Sequence, residues 1–122
     1  STSLLAVEDQ YLAKALRFIR DRVQESPSVE AVARASGLSR RALEKRFRDS
    51  LGRSVLDEIR RVRTDQIAQM LVETELPVAQ IAERLGFADA QHIARYFRSA
   101  KAISPLAYRK LHGRRQTLLG GA

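Results

Sequence analysis

Two stretches of this chain repeat one another about fifty residues apart, and that repeat constrains the fold more than any bulk property. From Val29 to Leu56, and again from Val78 to Leu106, the same residue classes recur in the same order. Val29 and Val78, Val32 and Ile81, Ala33 and Ala82, and Gly37 and Gly86 correspond at a separation of 49. Leu43 and Ile93, Lys45 and Arg95, Phe47 and Phe97, Arg48 and Arg98, and Ser54 and Ser104 correspond at 50. The slip of one residue falls just after the glycine, where a turn can absorb it. Each copy reads as a short helix, a glycine turn and a second, basic helix. That is the order of a helix-turn-helix, whose second helix enters the DNA major groove.

The charge supports an anionic partner. The chain has 22 Lys and Arg against 14 Asp and Glu in 122 residues, a formal charge of +8. The excess is local. Residues 8–25 are nearly balanced, whereas Ser39 to Arg48 holds Arg40, Arg41, Lys45, Arg46 and Arg48 against a single Glu44. After Asp89 there is no acidic residue, although seven more arginines and lysines follow. A length of 122 residues fits one domain or two very small ones, and a unit of about fifty residues is marginal alone, so the copies are expected to share an element. The chain has no cysteine, which excludes disulfides and thiolate metal sites. No apolar run approaches the ~20 residues of a membrane span, and no secretory leader is visible. A cytoplasmic, nucleoid-associated protein is expected. Starting at Ser1 without methionine, the chain is expected to belong to something longer.

Periodicity predicts seven helices and no sheet. Leu12, Leu16, Ile19 and Val23 mark an amphipathic helix from about Glu8 to Gln24, broken by Ser26-Pro27-Ser28. Ser28 is a candidate cap for Val29–Ser36, which stops at Gly37. Ser39 caps the next helix, which turns Leu43, Phe47 and Leu51 inward before Gly52. Ser54, with Asp57 three positions on, opens the longest run, in which Leu56, Ile59, Ile67, Met70 and Leu71 keep one apolar side to about Thr74. Pro77 opens the second copy: Val78, Ile81, Ala82 and Leu85, then Gly86, then Asp89 as cap for a helix burying Ile93 and Phe97. Ser104-Pro105 starts a last helix through Tyr108 to about His112. The predicted architecture is all-α: a helix-turn-helix subdomain over residues 1–53, a linker helix over 54–76, a second such subdomain over 77–112, and a flexible tail over 113–122.

A linker of roughly 20 residues spans ~30 Å, comparable with the ~34 Å of one DNA turn. Tandem copies on such a rod suit two successive major grooves of one duplex, read without a dimer partner. With Leu43 and Phe47 inward, the early exposed residues of the first reading helix are Arg40, Arg41, Glu44 and Lys45. With Ile93 and Phe97 inward, the second offers Ala90, Gln91, Ala94 and Arg95, with His92 at the edge. Arginine can bond both acceptors of guanine, glutamine both groups of adenine, and glutamate the amino group of cytosine. Arg41, Gln91 and Arg95 are the first choices as readers. Arg48, Arg98, Ser99 and Lys101 lie further along and are expected to hold phosphates. Each has a plainer alternative. Glu44 can pair with Arg40 or Arg48 at helical spacing, an isolated Arg40 or Arg41 can be a solvated surface residue, and His92 can serve packing.

Gly86-Phe87, Phe97-Arg98, Ser104-Pro105 and Tyr108-Arg109, with Arg61-Val62-Arg63, Met70-Leu71 and Ile81-Ala82 upstream, resemble the signature of AraC/XylS-type transcription regulators. The resemblance covers about residues 9 to 112. Leu38-Ser39-Arg40-Arg41 and Phe47 to Gly52-Arg53 are especially similar to the DNA-binding end of xylose-operon activators. It implies a seven-helix domain with two helix-turn-helix units, binding double-stranded promoter DNA and contacting RNA polymerase, usually as an activator. It also implies a separate effector-binding, dimerising domain, so the isolated domain is expected to be a monomer and the full-length protein a dimer. The family's base-contacting positions fall on Arg41, Glu44 and Lys45, and on Gln91, His92 and Arg95. Three residues depart from the family pattern: Ala102 where glycine is usual, Ile93 where phenylalanine is frequent, and Val55 in place of a proline.

A basic helical module for an acidic protein or an anionic surface is the alternative reading, which accounts for charge but not for the doubled turn. Catalysis is not expected. No nucleophile has a neighbouring base in an evident motif, no ligand cluster suggests a metal, and no glycine loop suggests a phosphate cofactor. The two histidines, His92 and His112, lie in different predicted helices.

Overall fold

The structure, a computed structural model, describes residues 9–113. Among them are seven α-helices and no strand: α1 (Gln10–Arg22), α2 (Val29–Ser36), α3 (Arg40–Leu51), α4 (Val55–Glu73), α5 (Val78–Arg84), α6 (Ala90–Lys101) and α7 (Pro105–His112). A 3-10 turn, Val23–Glu25, ends α1. None of these helices is long and apolar enough to cross a membrane.

Side-chain caps set most of the boundaries. Asp9 accepts from the Leu12 amide at 3.0 Å, Ser28 from Ala31 at 3.1 Å and Ser39 from Ala42 at 3.2 Å. Asp89 accepts from His92 at 2.7 Å, and Ser104 from Ala107 at 3.1 Å. Each bond satisfies an amide that the first turn leaves without a partner. At the head of α4 the exchange is reciprocal. Ser54 Oγ accepts from the Asp57 amide at 3.0 Å while Asp57 accepts from the Ser54 amide at 3.3 Å, the capping box that the spacing predicts. The first helix starts two residues later than expected because Asp9 is its cap, and Glu8 lies outside the described residues. Apart from Gly113, which closes α7, the predicted tail also lies outside them.

The chain divides into two compact units, Ser1–Val62 and Arg63–Ala122, with the boundary inside α4. In the first, Leu12, Ala15 and Ile19 of α1 pack with Val29, Val32 and Ala33 of α2, Leu43 and Phe47 of α3, and Val55 and Ile59 of α4. In the second, Ile67 and Leu71 of α4 pack with Ile81, Ala82, Leu85 and Phe87, and with Ile93 and Phe97 of α6. The shared element expected from the size of the repeat is therefore α4, which supplies apolar residues to both cores. Serving two cores in turn, it does not carry one continuous apolar stripe. Leu56, expected inward, is 42% exposed, and Val55 takes the core position instead. The second copy agrees, with Pro105 buried and Leu106 exposed.

Candidate nucleic-acid interface

The two turns share one pair of closing hydrogen bonds. In the first unit Gly37 takes φ +87°, and its amide bonds Arg34 O while the Leu38 amide reaches Ala33 O at 3.2 Å. In the second, Gly86 takes φ +79°, its amide bonds Glu83 O, and the Phe87 amide reaches Ala82 O at 2.8 Å. Both are the paired closure that ends a helix in a left-handed residue, a conformation that glycine adopts without strain from a Cβ. The residue after each glycine is apolar, half-buried Leu38 or buried Phe87, and anchors the turn to its core. From Gly37 to the cap Ser39 there is one intervening residue, and from Gly86 to the cap Asp89 there are two. Ala88 is the inserted residue, and it accounts for the slip in the repeat. Its amide donates to His92 Nδ1 at 3.4 Å.

After these turns, α3 and α6 each run twelve residues. Leu43 and Phe47, and likewise Ile93 and Phe97, are fully buried, so packing fixes the rotation of both helices. Arg41 and Arg48 are thereby left exposed on α3, and Gln91, Arg95, Arg98, Ser99 and Lys101 on α6. Among the described residues none of these seven side chains makes a hydrogen bond or ion pair, leaving their donors available to a ligand.

The other candidates are engaged. Arg40 bonds Glu30 of α2, and Lys45 bonds Asp49 at 2.7 Å. Both pairs are exposed, of the kind that contributes little and exchanges readily. Glu44 is half-buried and pairs with neither Arg40 nor Arg48; its Oε1 accepts from the Val55 amide at 2.9 Å. His92 is half-buried, with its ring edge-on to Phe87 at 5.3 Å between centroids.

Several basic residues counted in the sequence as surface charge turn out to hold the fold. Arg46 reaches Asp9 at 2.8 Å and lies over the Tyr11 ring at 4.9 Å, tying α3 to the head of α1. Burial pushes the Asp9 carboxyl up, but the Leu12 amide and then Arg46 outweigh it, leaving the group below the usual carboxylate range. Glu58 is only 3% exposed and bridges Arg53 at 2.6 Å and Arg61 at 2.8 Å. Its burial likewise opposes ionisation, and the hydrogen bonds from Arg61 and Arg53, with their charges, overcome it and lower its pKa. Glu30 is lowered first by its own backbone amide and then by Arg40. Arg109 Nε donates to Leu71 O at 3.0 Å, satisfying a carbonyl of the last turn of α4.

Arg63 is the least expected of these. It is 8% exposed, and its guanidinium lies 3.8 Å from the centroid of Phe87 and 5.1 Å from that of Tyr96. One arginine of α4 thus touches both the turn residue after Gly86 and the reading helix α6, a cation–π stack sheltered from water. Beyond the place of Arg63 in the family pattern, no sequence signal points to this contact. An arginine in a helix with many exposed neighbours of mixed polarity reads as solvated.

The comparisons agree with this geometry. Residues 32–111 match a family model described as a helix-turn-helix domain. Over 106 residues the chain is 33% identical to the multiple antibiotic resistance protein MarA of Salmonella typhimurium, covering 85% of this chain and 84% of MarA. It is 27% identical over 112 residues to the xylose operon regulatory protein of Escherichia coli, covering 92% of this chain and 29% of that protein. The solved DNA-binding domain of the global transcriptional factor AdpA, in complex with a target DNA, superposes with a TM-score of 0.76 at 27% identity, covering 90% of this chain and 98% of that one. With both turns built alike and the match running through both, the chain belongs to the AraC/XylS-type family of helix-turn-helix transcription regulators.

Proposed function

We infer that this chain binds double-stranded promoter DNA sequence-specifically, offering α3 and α6 as its reading helices for transcription control. The observation that carries this is the pairing of two turns closed by the same pair of hydrogen bonds with two helices whose early exposed side chains, Arg41 on one and Gln91 and Arg95 on the other, have no partner among the described residues. Arg41 and Arg95 suit guanine and Gln91 suits adenine. Arg40 and Lys45 join them by exchanging a weak surface pair for a DNA contact, and His92 flanks the start of α6. Arg48, Arg98, Ser99 and Lys101, further along, hold phosphates. Each helix takes its own segment of major groove on one duplex.

The relatives' names speak of antibiotic resistance and of xylose, and neither ligand nor promoter transfers from them. Promoter activation through contact with RNA polymerase, a cytoplasmic and nucleoid-associated location, a monomeric isolated domain and a dimeric longer protein complete the reading. Membership of a family of DNA-binding regulators supports a binding role and not a catalytic one.

A gel-shift titration against labelled promoter fragments, with random duplex as competitor, tests the function. Retention of one fragment at a random-duplex excess that strips the others supports it. Equal competition by every duplex, or by an acidic polymer, favours a basic interaction module instead.

A further inference from the structure

The carboxylate of Glu44 lies on the reading helix α3 among Arg41, Lys45 and Arg48, where a cytosine contact would be its natural role. Its hydrogen bond points elsewhere. Oε1 accepts from the amide of Val55, the first residue of α4, at 2.9 Å, and the side chain is half-buried there. That amide is one of the donors a helix start leaves unpaired. Ser54 already caps the Asp57 amide, so Glu44 takes a different one. The carboxylate also meets the positive end of the α4 dipole.

The second copy supplies an internal control. Glu44 corresponds to Ala94 and Val55 to Pro105, both at the separation of 50. Proline has no amide hydrogen and needs no acceptor, and Ala94 offers none. Where the helix after the reading helix begins with a free amide, the reading helix carries a carboxylate to meet it; where it begins with proline, it does not. The otherwise unexplained Val55 and the acidic residue in a basic surface become two halves of one contact.

We propose that Glu44 is a positioning residue, which fixes α3 against the first turn of α4 through the Val55 amide and does not read a base. The bond itself is independent of any ligand; its consequence for recognition rests on α3 being a reading helix. A role in position predicts that losing Glu44 weakens binding to all sequences in proportion. A role in reading predicts a changed preference at one base pair.

The test uses the whole chain with Glu44→Gln, Glu44→Ala, Val55→Pro and the Glu44→Ala/Val55→Pro double variant. Without DNA, Glu44→Ala speeds hydrogen exchange at the Val55 amide about tenfold relative to Ile59, and Glu44→Gln, which keeps an acceptor oxygen, restores most of the protection. In selection from a random duplex pool, Glu44→Gln and Glu44→Ala keep the base preference of the parent at every position. In the Val55→Pro background, Glu44→Ala causes no further loss of affinity, because the donor is already gone. Proline at that position is compatible with folding, as Pro105 shows. A preference changed at a single base pair by Glu44→Gln or Glu44→Ala would overturn the proposal, and so would Val55 exchange indifferent to Glu44→Ala. If exchange responds but neither Glu44→Ala nor Arg41→Ala alters affinity for any duplex, the contact of Glu44 with the Val55 amide stands and the DNA-reading assignment of α3 is what fails.

Discussion

Ala102 and Gly52 occupy the same place in the two copies, the residue just past the reading helix, and they share one backbone conformation. Gly52 has φ +70° and Ala102 φ +67°, and each amide closes its helix on the carbonyl four residues back, that of Arg48 or Arg98. An L-residue held in this region costs about 1–2 kcal/mol, which glycine avoids. Nothing lies within 4 Å of a Cβ built on Gly52, so no clash adds to that cost there. Glycine also gains freedom in the unfolded chain, which offsets about 0.4–1 kcal/mol. Ala102→Gly should therefore stabilise the second unit by about 0.5–1 kcal/mol, and Gly52→Ala should destabilise the first by about the same. For units of this size that is a shift of several degrees, roughly 4–8 °C per kcal/mol. Amide exchange read separately at buried Phe47 and Phe97 assigns each change to its unit. Protection at Phe97 that falls on Ala102→Gly, or protection at Phe47 that rises on Gly52→Ala, would refute the argument that these positions differ only in the cost of a left-handed residue.

Glu58→Gln should cost about 1–3 kcal/mol in chemical denaturation at pH 7, since it removes the charge that two arginines bond. The folded pKa values of Asp9 and Glu58 are lowered, so the unfolded chain binds protons more readily than the folded one. Their contribution is complete above the unfolded values of 3.8 and 4.5 and is lost as pH falls through the lower folded values; denaturation curves from pH 6 to pH 3 should show it, with a flatter profile in Glu58→Gln. Arg63→Ala should loosen Phe87 and Tyr96 and weaken duplex binding through α6 while leaving exchange at Phe47 unchanged, measured by amide exchange beside a binding titration. Affinity for duplex should fall steeply between 50 and 200 mM salt as phosphates exchange their counterions, and Arg48→Ala should reduce that slope by about one.

The fold was legible because its signals are local. Glycine after an alanine-rich turn, Ser or Asp before each reading helix, and Ser104-Pro105 fix helix ends through bonds spanning three or four residues, and each of those caps is present. Leu43, Phe47, Ile93 and Phe97 announced the buried faces of α3 and α6 by spacing alone. What could not be read are contacts between residues far apart in the sequence. Arg46 and Asp9 are separated by 37 positions, and Arg109 and Leu71 by 38. Nothing in a single sequence distinguishes those arginines from solvated ones. Leu56 misled for a different reason: α4 serves two cores, so one apolar period could not describe it, and Val55 took the buried place. For the interface, exposure of Arg41, Gln91 and Arg95 followed from the period, whereas the engagements of Arg40 with Glu30 and of Glu44 with Val55, ten and eleven positions away, did not.

Selection of bound sequences from a random duplex pool, carried out with the parent chain, Arg41→Ala and Arg95→Ala, tests the central claim most directly. The account predicts a preferred site with two unequal parts. Arg41→Ala should lose about 1–3 kcal/mol and relax preference within one part, and Arg95→Ala should do the same within the other. Enrichment of no sequence, or both variants weakening every duplex equally with the preference intact, would contradict it.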